Sequence, residues 1–251
     1  MFKKSFLHKS FEEIEFNSLW ENKGVFTTMR FIKSANKFLF YKEHINRINN
    51  SLISLNINFQ IDSFFINKIV SFINLDNCNS DLLIRVAISE NIISISSRKF
   101  LESNKNFTCY FKEYKRENPE IKNLKYKKII DFLKTIDNQK EEILLSEKNI
   151  IFEGCTTNII LNKSQNIYIP RNNFYRGTTM RFVLDKLEEP VIENDILISD
   201  INKYDEILLV GTGKGVVSVR KIENTLWENK SNFLYKKLSK IYYSKINKLN
   251  T

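Results

Sequence analysis

Two stretches decide how this chain is read: IKNLKYKKII over Ile121–Ile130, and EILLSEKNIIFEGCTTNIIL over Glu142–Leu161. A lysine amine such as that of Lys122 can bond to a carbonyl carbon. A carboxylate such as that of Glu153 can hold a positive charge on a nitrogen heterocycle. Between them, Ile129, Ile130, Phe132, Leu133 and Ile136 recur at helical spacing. Short β-rich runs follow: EILLS, IIFEG, TNIILN and NIYIP. Next comes RGTTMRFVLD, which predicts a helix from Thr179 to Glu188.

Working outward, GVFTTMRFIKSANKFLF predicts a hairpin, with strands Gly24–Ile32 and Lys37–Tyr41 around a Lys33–Asn36 turn. The period then changes. Ile45, Ile48, Leu52 and Leu55 fall on one helical stripe, and Arg47 lies about 120° from its centre, free to point away from the core. A second helix is expected over IDSFFINKIVSFINL (Ile61–Leu75), then strands in DLLIRVAIS, NIISISSRK and NFTCYFKEY. Residues 1–22 read as an edge strand, and SNFLYKKLSKIYYSKIN as a closing amphipathic helix. The polar stretch KEYKRENPE is the best linker candidate. The expected organisation is therefore an α+β domain over 1–111, a linker over 112–120, and a second α+β domain over 121–251.

The composition is that of a globular protein, with 42% hydrophobic and 27% charged residues. No apolar run approaches the roughly 18 residues of a membrane span, and MFKKSFLHKSFEEIEF has no continuous apolar core, so neither anchor nor signal peptide is expected. Cys78, Cys109 and Cys155 lack the C-x-x-C spacing of a zinc site and are odd in number, which suits a reducing cytoplasm. With His8 and His44 the only histidines, no metal centre is expected. The net charge of +10 is spread along the chain, which points to general surface composition and an anionic small-molecule substrate, not to nucleic acid.

The block DNQKEEILLSEKNIIFEGCTTNIILNKSQNIYIP with RGTTMRFVLD, downstream of IKNLKY, resembles the second half of the class IV aminotransferases, the fold type IV enzymes of pyridoxal phosphate. Their order is a cofactor-bonding lysine, an E-x-x-x-x-N turn, and a G-I-T-R-like phosphate turn. The resemblance covers roughly residues 20–220. It implies a two-domain fold like that of D-amino acid aminotransferase, with pyridoxal 5'-phosphate between the domains, usually in a homodimer.

Carried over residue by residue, the resemblance makes Lys122 the catalytic lysine and Glu153 the partner of the pyridine nitrogen, with Asn158 beside it. His44-Ile45-Asn46-Arg47 matches the H-x-x-R helix whose arginine reaches the phosphate. Gly177, Thr178 and Thr179 match the phosphate turn, and Gly211-Thr212 a second phosphate contact. His44 itself reads as a packing or hydrogen-bonding residue at the helix start.

The chain departs from the pattern in several places. Met180 then Arg181 stand where the family has arginine after the threonine, Lys125 where it often has asparagine, Lys127 where it has an apolar residue or tyrosine, and Asn22-Lys23 where it often has Gly-Asp. GVFTTMR matches the G-x-F-T-T of aminodeoxychorismate lyases, which implies a carbon–oxygen lyase making 4-aminobenzoate and pyruvate for folate synthesis, with Thr28 assisting. The alternative is a branched-chain or D-amino acid aminotransferase on the same residues.

Overall fold

The structure is a computed structural model describing residues 2–62, 65, 79–103 and 106–249. It divides into two compact units, one of residues 1–100, 121–127 and 248–251, the other of residues 101–120 and 128–247.

In the first unit the elements are β1 (Lys3–Leu7), β2 (Glu13–Ile14), β3 (Gly24–Ile32), β4 (Lys37–Phe38), α1 (Tyr41–Ser54), β5 (Leu82–Ser89) and β6 (Ile92–Lys99). The strands form one antiparallel sheet in the order β2-β1-β6-β5-β3-β4. Because side chains alternate along a strand, β3 sends Val25, Met29 and Phe31 to one face, where they join Ile84, Val86 and Ile88 of β5 and Ile45, Ile48 and Leu52 of α1 in a buried core. Phe26, Thr28 and Arg30 take the opposite face. The α1 stripe is the one expected, with Ile45, Ile48 and Leu52 buried. The helix expected over Ile61–Leu75 lies outside the described residues, apart from Ile61, Asp62 and Phe65.

The second unit holds β7 (Asn106–Glu113), α2 (starting at Lys127 and ending at Leu133), β8 (Glu141–Glu147), β9 (Ile150–Gly154), β10 (Asn158–Lys163), β11 (Asn166–Pro170), α3 (Thr178–Leu184), β12 (Val191–Asn194), β13 (Ile196–Leu197), a 3-10 turn (Ile198–Lys203), β14 (Glu206–Gly211), β15 (Gly215–Ile222) and α4 (Phe233–Asn247). Its sheet runs β12-β11-β10-β14-β15-β7-β8-β9-β13, parallel at β11/β12, β15/β7 and β7/β8. Phe107, Leu144, Ile151, Ile159, Leu209, Val217 and Trp227 lie in its core. The closing helix α4 is capped at a distance: the fully buried Glu206 accepts the amides of Leu234 (2.7 Å) and Tyr235 (3.2 Å), placing a carboxylate at the positive helix start.

The division by contacts differs from the expected 1–111 and 121–251 in two places, each with a physical reason. β7 hydrogen-bonds β8 and β15 in parallel and so joins the second sheet. Residues 121–127 are stitched to β3 instead: Phe26 donates its amide to the Lys122 carbonyl (2.9 Å), Leu124 donates to the Gly24 carbonyl (3.0 Å), and Val25 bridges Asn123. The helix after Lys122 is shorter than its apolar pattern, because Thr135 Oγ1 and Asn138 Nδ2 take the carbonyls of Phe132 and Leu133 and end it. α3 stops at Leu184, short of the expected Glu188. β12 to β15 are strands that the sequence reading left unassigned. Among the described residues no helix is long and apolar enough to cross a membrane.

Candidate active site

The expected site residues fall into two groups, one in each unit. In the first, Lys122 follows the strap onto β3, and its Nζ lies 4.9 Å from the centre of the Phe26 ring. Trp20, Phe26 and Tyr126 pack mutually, with centroids 5.1–5.6 Å apart. Glu21 Oε1 accepts the amides of Tyr126 (2.9 Å) and Lys127 (2.8 Å), so the chain leaving Lys122 is oriented by a carboxylate at the start of α2.

On the core side of β3, Thr27 Oγ1 and His44 Nδ1 are 2.9 Å apart, which gives His44 the hydrogen-bonding role expected at the helix start. Burial first, then the charges of Lys122 and Arg47, hold the His44 imidazole down to about 3, so it is neutral. Its Nε2 is buried without a hydrogen-bond partner among the described residues. Arg47, half-buried one helical turn further along α1, belongs to the same electrostatic neighbourhood as Lys122.

On the other face of β3, Thr28 is directly opposite Arg85 of β5 and two residues from Phe26, so all three share that face. Arg85 was not singled out from sequence. Its guanidinium lies 3.7 Å from the Trp20 ring centre and donates to the Ser18 carbonyl (2.8 Å), while its Nε is buried without a partner among the described residues. Burial pulls its pKa down to about 10.

In the second unit Glu153 is the next-to-last residue of β9. The ladder pairs Ser146 with Ile151 but Leu145 with Glu153, so Phe152 is an extra residue, a bulge. Strict alternation would put Glu153 on the core face with Ile151. The bulge turns it to the other face. There Glu153 Oε1 takes Arg116 Nε at 2.7 Å and Nη2 at 2.6 Å, and Oε2 takes the Tyr175 amide at 3.2 Å. Arg116, with 5% of its side chain exposed, was hidden from sequence reading inside the supposed polar linker, and donates as well to the Pro119 carbonyl.

Asn158, which opens β10, donates to the Tyr175 carbonyl (2.6 Å) and accepts the Gly177 amide (2.9 Å), clamping the 175–177 turn. A Cβ at Gly177 would lie 2.6 Å from Asn158 Oδ1, so only glycine permits this approach. Thr178 and Thr179 are buried at the start of α3, and Thr179 Oγ1 has no hydrogen-bond partner among the described residues. Met180 is buried and Arg181 exposed, donating to the Arg176 carbonyl. Thr212 sits in the turn between β14 and β15, where Gly211 presses close enough that a Cβ would come 3.1 Å from the Thr156 carbonyl. Cys155, inside the EGCTTN turn, is buried, and burial with the charge of Glu142 raises its thiol pKa, so it is no nucleophile.

The family model for amino-transferase class IV matches residues 24–222. The chain belongs to that family. Among solved structures it is similar to a branched-chain aminotransferase from the archaeon Thermoproteus uzoniensis (16% identity, 98% of this chain and 96% of that one, TM-score 0.80). It is also similar to the branched-chain amino acid aminotransferase of Escherichia coli (14%, 96% and 93%, 0.77). A Legionella pneumophila protein provisionally described as a 4-amino-4-deoxychorismate lyase is comparable (18%, 89% and 91%, 0.76). No curated protein matches the sequence significantly.

The family is one of pyridoxal phosphate enzymes, and the residues fit that group. A buried carboxylate held by Arg116, a buried threonine hydroxyl without a partner among the described residues at a glycine turn, and a second threonine turn are the group types that a protonated ring nitrogen and a phosphate would need.

Proposed function

We propose that this enzyme is a 4-amino-4-deoxychorismate lyase, releasing 4-aminobenzoate and pyruvate for folate synthesis, and that it works as a homodimer in the cytoplasm. The observation that carries the reading is Thr28 set directly opposite the under-paired Arg85, on the strand face that also carries Phe26 beneath Lys122. A hydroxyl beside a guanidinium and aromatic rings suits a flat substrate that bears carboxylates and must lose an oxygen-linked group.

Pyridoxal phosphate, when bound, supplies an electron sink for the carbon next to the substrate nitrogen. In our reading Glu153 keeps the ring nitrogen protonated, and Arg116 keeps Glu153 in place. Gly177, Thr178, Thr179, Thr212 and Arg47 bind the phosphate, and Asn158 fixes the turn that presents them. Lys122 would hold the cofactor through its amine and would act as the base that takes the proton from the carbon next to the substrate nitrogen. It then returns a proton as the enolpyruvyl oxygen departs, with the Thr28 hydroxyl orienting or relaying that proton. Arg85 holds a substrate carboxylate. Aromatisation of the ring favours the forward direction.

The test is a paired assay on purified enzyme loaded with pyridoxal phosphate. Aminodeoxychorismate should give 4-aminobenzoate and pyruvate in equal amounts, while branched-chain and D-amino acids with 2-oxoglutarate should give little glutamate. Brisk transamination without 4-aminobenzoate would replace the lyase with an amino acid aminotransferase, the reading that the likeness to branched-chain enzymes supports.

A further inference from the structure

Lys214 lies in the turn between β14 and β15, two residues after Thr212, and none of the roles above uses it. Its side chain is 8% exposed, and its Nζ lies 4.5 Å from the centre of the Phe107 ring and donates to Glu142 Oε2 at 2.9 Å. Glu142 is fully buried on β8. The same oxygen accepts Thr156 Oγ1 (2.9 Å) and Thr157 Oγ1 (3.2 Å), the two threonines of the EGCTTN turn. One carboxylate oxygen therefore ties two separate turns, one carrying Thr212 and the other leading out of Glu153. The glycines show how closely these turns are pressed. A Cβ at Gly154 would meet Thr157 Oγ1 at 2.2 Å and Glu142 Cγ at 2.9 Å, and Gly215 holds φ +71 against Tyr242.

A buried lysine–glutamate pair is a poor way to gain net stability, because both charges lose their hydration; its better-attested use is to fix one arrangement among several. Here the arrangement it fixes is the span from Thr212 to Glu153, the phosphate and ring-nitrogen contacts of the function proposed above, on which this inference rests. We propose that Lys214 and Glu142 are positioning residues that set the distance between the phosphate end and the ring end of the cofactor site, touching neither end themselves. Such a tie acts on ligands that reach both turns at once, because only they require the spacing to be right.

The discriminating experiment is a titration of apo enzyme, wild type and Lys214→Met, with three probes: pyridoxal 5'-phosphate, pyridoxal, and inorganic phosphate. In Lys214→Met the Glu142 carboxylate keeps its two threonine donors but loses its counter-charge, so the melting temperature should fall while the protein still folds at the assay temperature. Affinity for pyridoxal 5'-phosphate should fall about tenfold, and affinities for pyridoxal and for phosphate less than about twofold each. The double variant Lys214→Met/Glu142→Gln, neutral on both sides, should stay as weak as the single one, because the tie is gone in both. Equal losses for all three probes, or an unchanged affinity for pyridoxal 5'-phosphate beside a lowered melting temperature, would make the pair merely structural and overturn the proposal. Should Lys214→Met fail to fold, Glu142→Gln, which keeps an acceptor for all three donors, gives the same contrast between probes at smaller size. Wild-type protein that takes up no pyridoxal 5'-phosphate would instead sink the functional reading beneath it.

Discussion

The segments around Lys122 and around Glu153 are built in opposite ways. Lys122 is placed by backbone: its carbonyl and the amide of Leu124 are hydrogen-bonded to β3, and its Nζ lies over the Phe26 ring, which packs with Trp20 and Tyr126. Glu153 is placed through its own side chain: Arg116 grips one oxygen twice, the Tyr175 backbone amide takes the other, and a bulge at Phe152 sets the direction. A backbone strap tolerates changes of side chain. A gripped carboxylate does not, and the difference can be broken or sharpened by experiment.

The largest effect is expected from Arg116→Met, which takes the guanidinium away from the buried Glu153 carboxylate. Breaking a buried ion pair by removing one partner costs about 3–5 kcal/mol, so thermal unfolding should shift down by roughly 6–20 °C. Arg116→Met/Glu153→Gln should recover part of that loss. Recovery of none would mean that the guanidinium acts elsewhere. Next in size, Glu153→Gln should lower turnover by roughly 10²–10³-fold with cofactor affinity changed much less, because the charge matters most as the substrate carbon loses its proton. Unchanged turnover would remove Glu153 from the chemistry.

These contrasts track how much of the molecule was legible. The EGCTTN segment could be read because its letters do the holding: Asn158 clamps Gly177, and the threonines meet Glu142. Arg116 could not, because a buried arginine inside KEYKRENPE looks like any solvated one until its partner arrives from β9. β7 was grouped with the first half of the chain for a related reason. Its parallel pairing with β8 and β15 is non-local, and an apolar-alternating strand carries no mark of its neighbours. Arg85 was missed because alternation along one strand does not reveal that Thr28 is its opposite number on another.

Effects in the first unit should be smaller and confined to chemistry or pH. Thr28→Val keeps the β-branched shape and removes the hydroxyl, so proton removal from substrate should survive while pyruvate release slows about 10²-fold, measured in rapid-quench assays. Lyase activity untouched in Thr28→Val would leave the function standing and discharge Thr28.

His44 gives the smallest effect. Its folded pKa of about 3 lies below the ordinary 6.5, so the unfolded chain binds the proton that the folded one refuses, and stability falls as pH drops below 6.5. Between pH 6.5 and 5 that loss is about 2 kcal/mol for one such group, and His44→Gln should flatten the acid limb of a urea-denaturation series by that amount. An acid limb of equal slope in the variant would place the titrating group elsewhere.

The most direct test of the account is to find where the cofactor bonds. Enzyme loaded with pyridoxal 5'-phosphate, reduced with borohydride and digested, should carry the label on the peptide containing IKNLKY, at Lys122, and Lys122→Ala should carry none. Label on Lys125 or Lys127, or on Lys214 in the other unit, would contradict the placement of the catalytic lysine on which the rest depends.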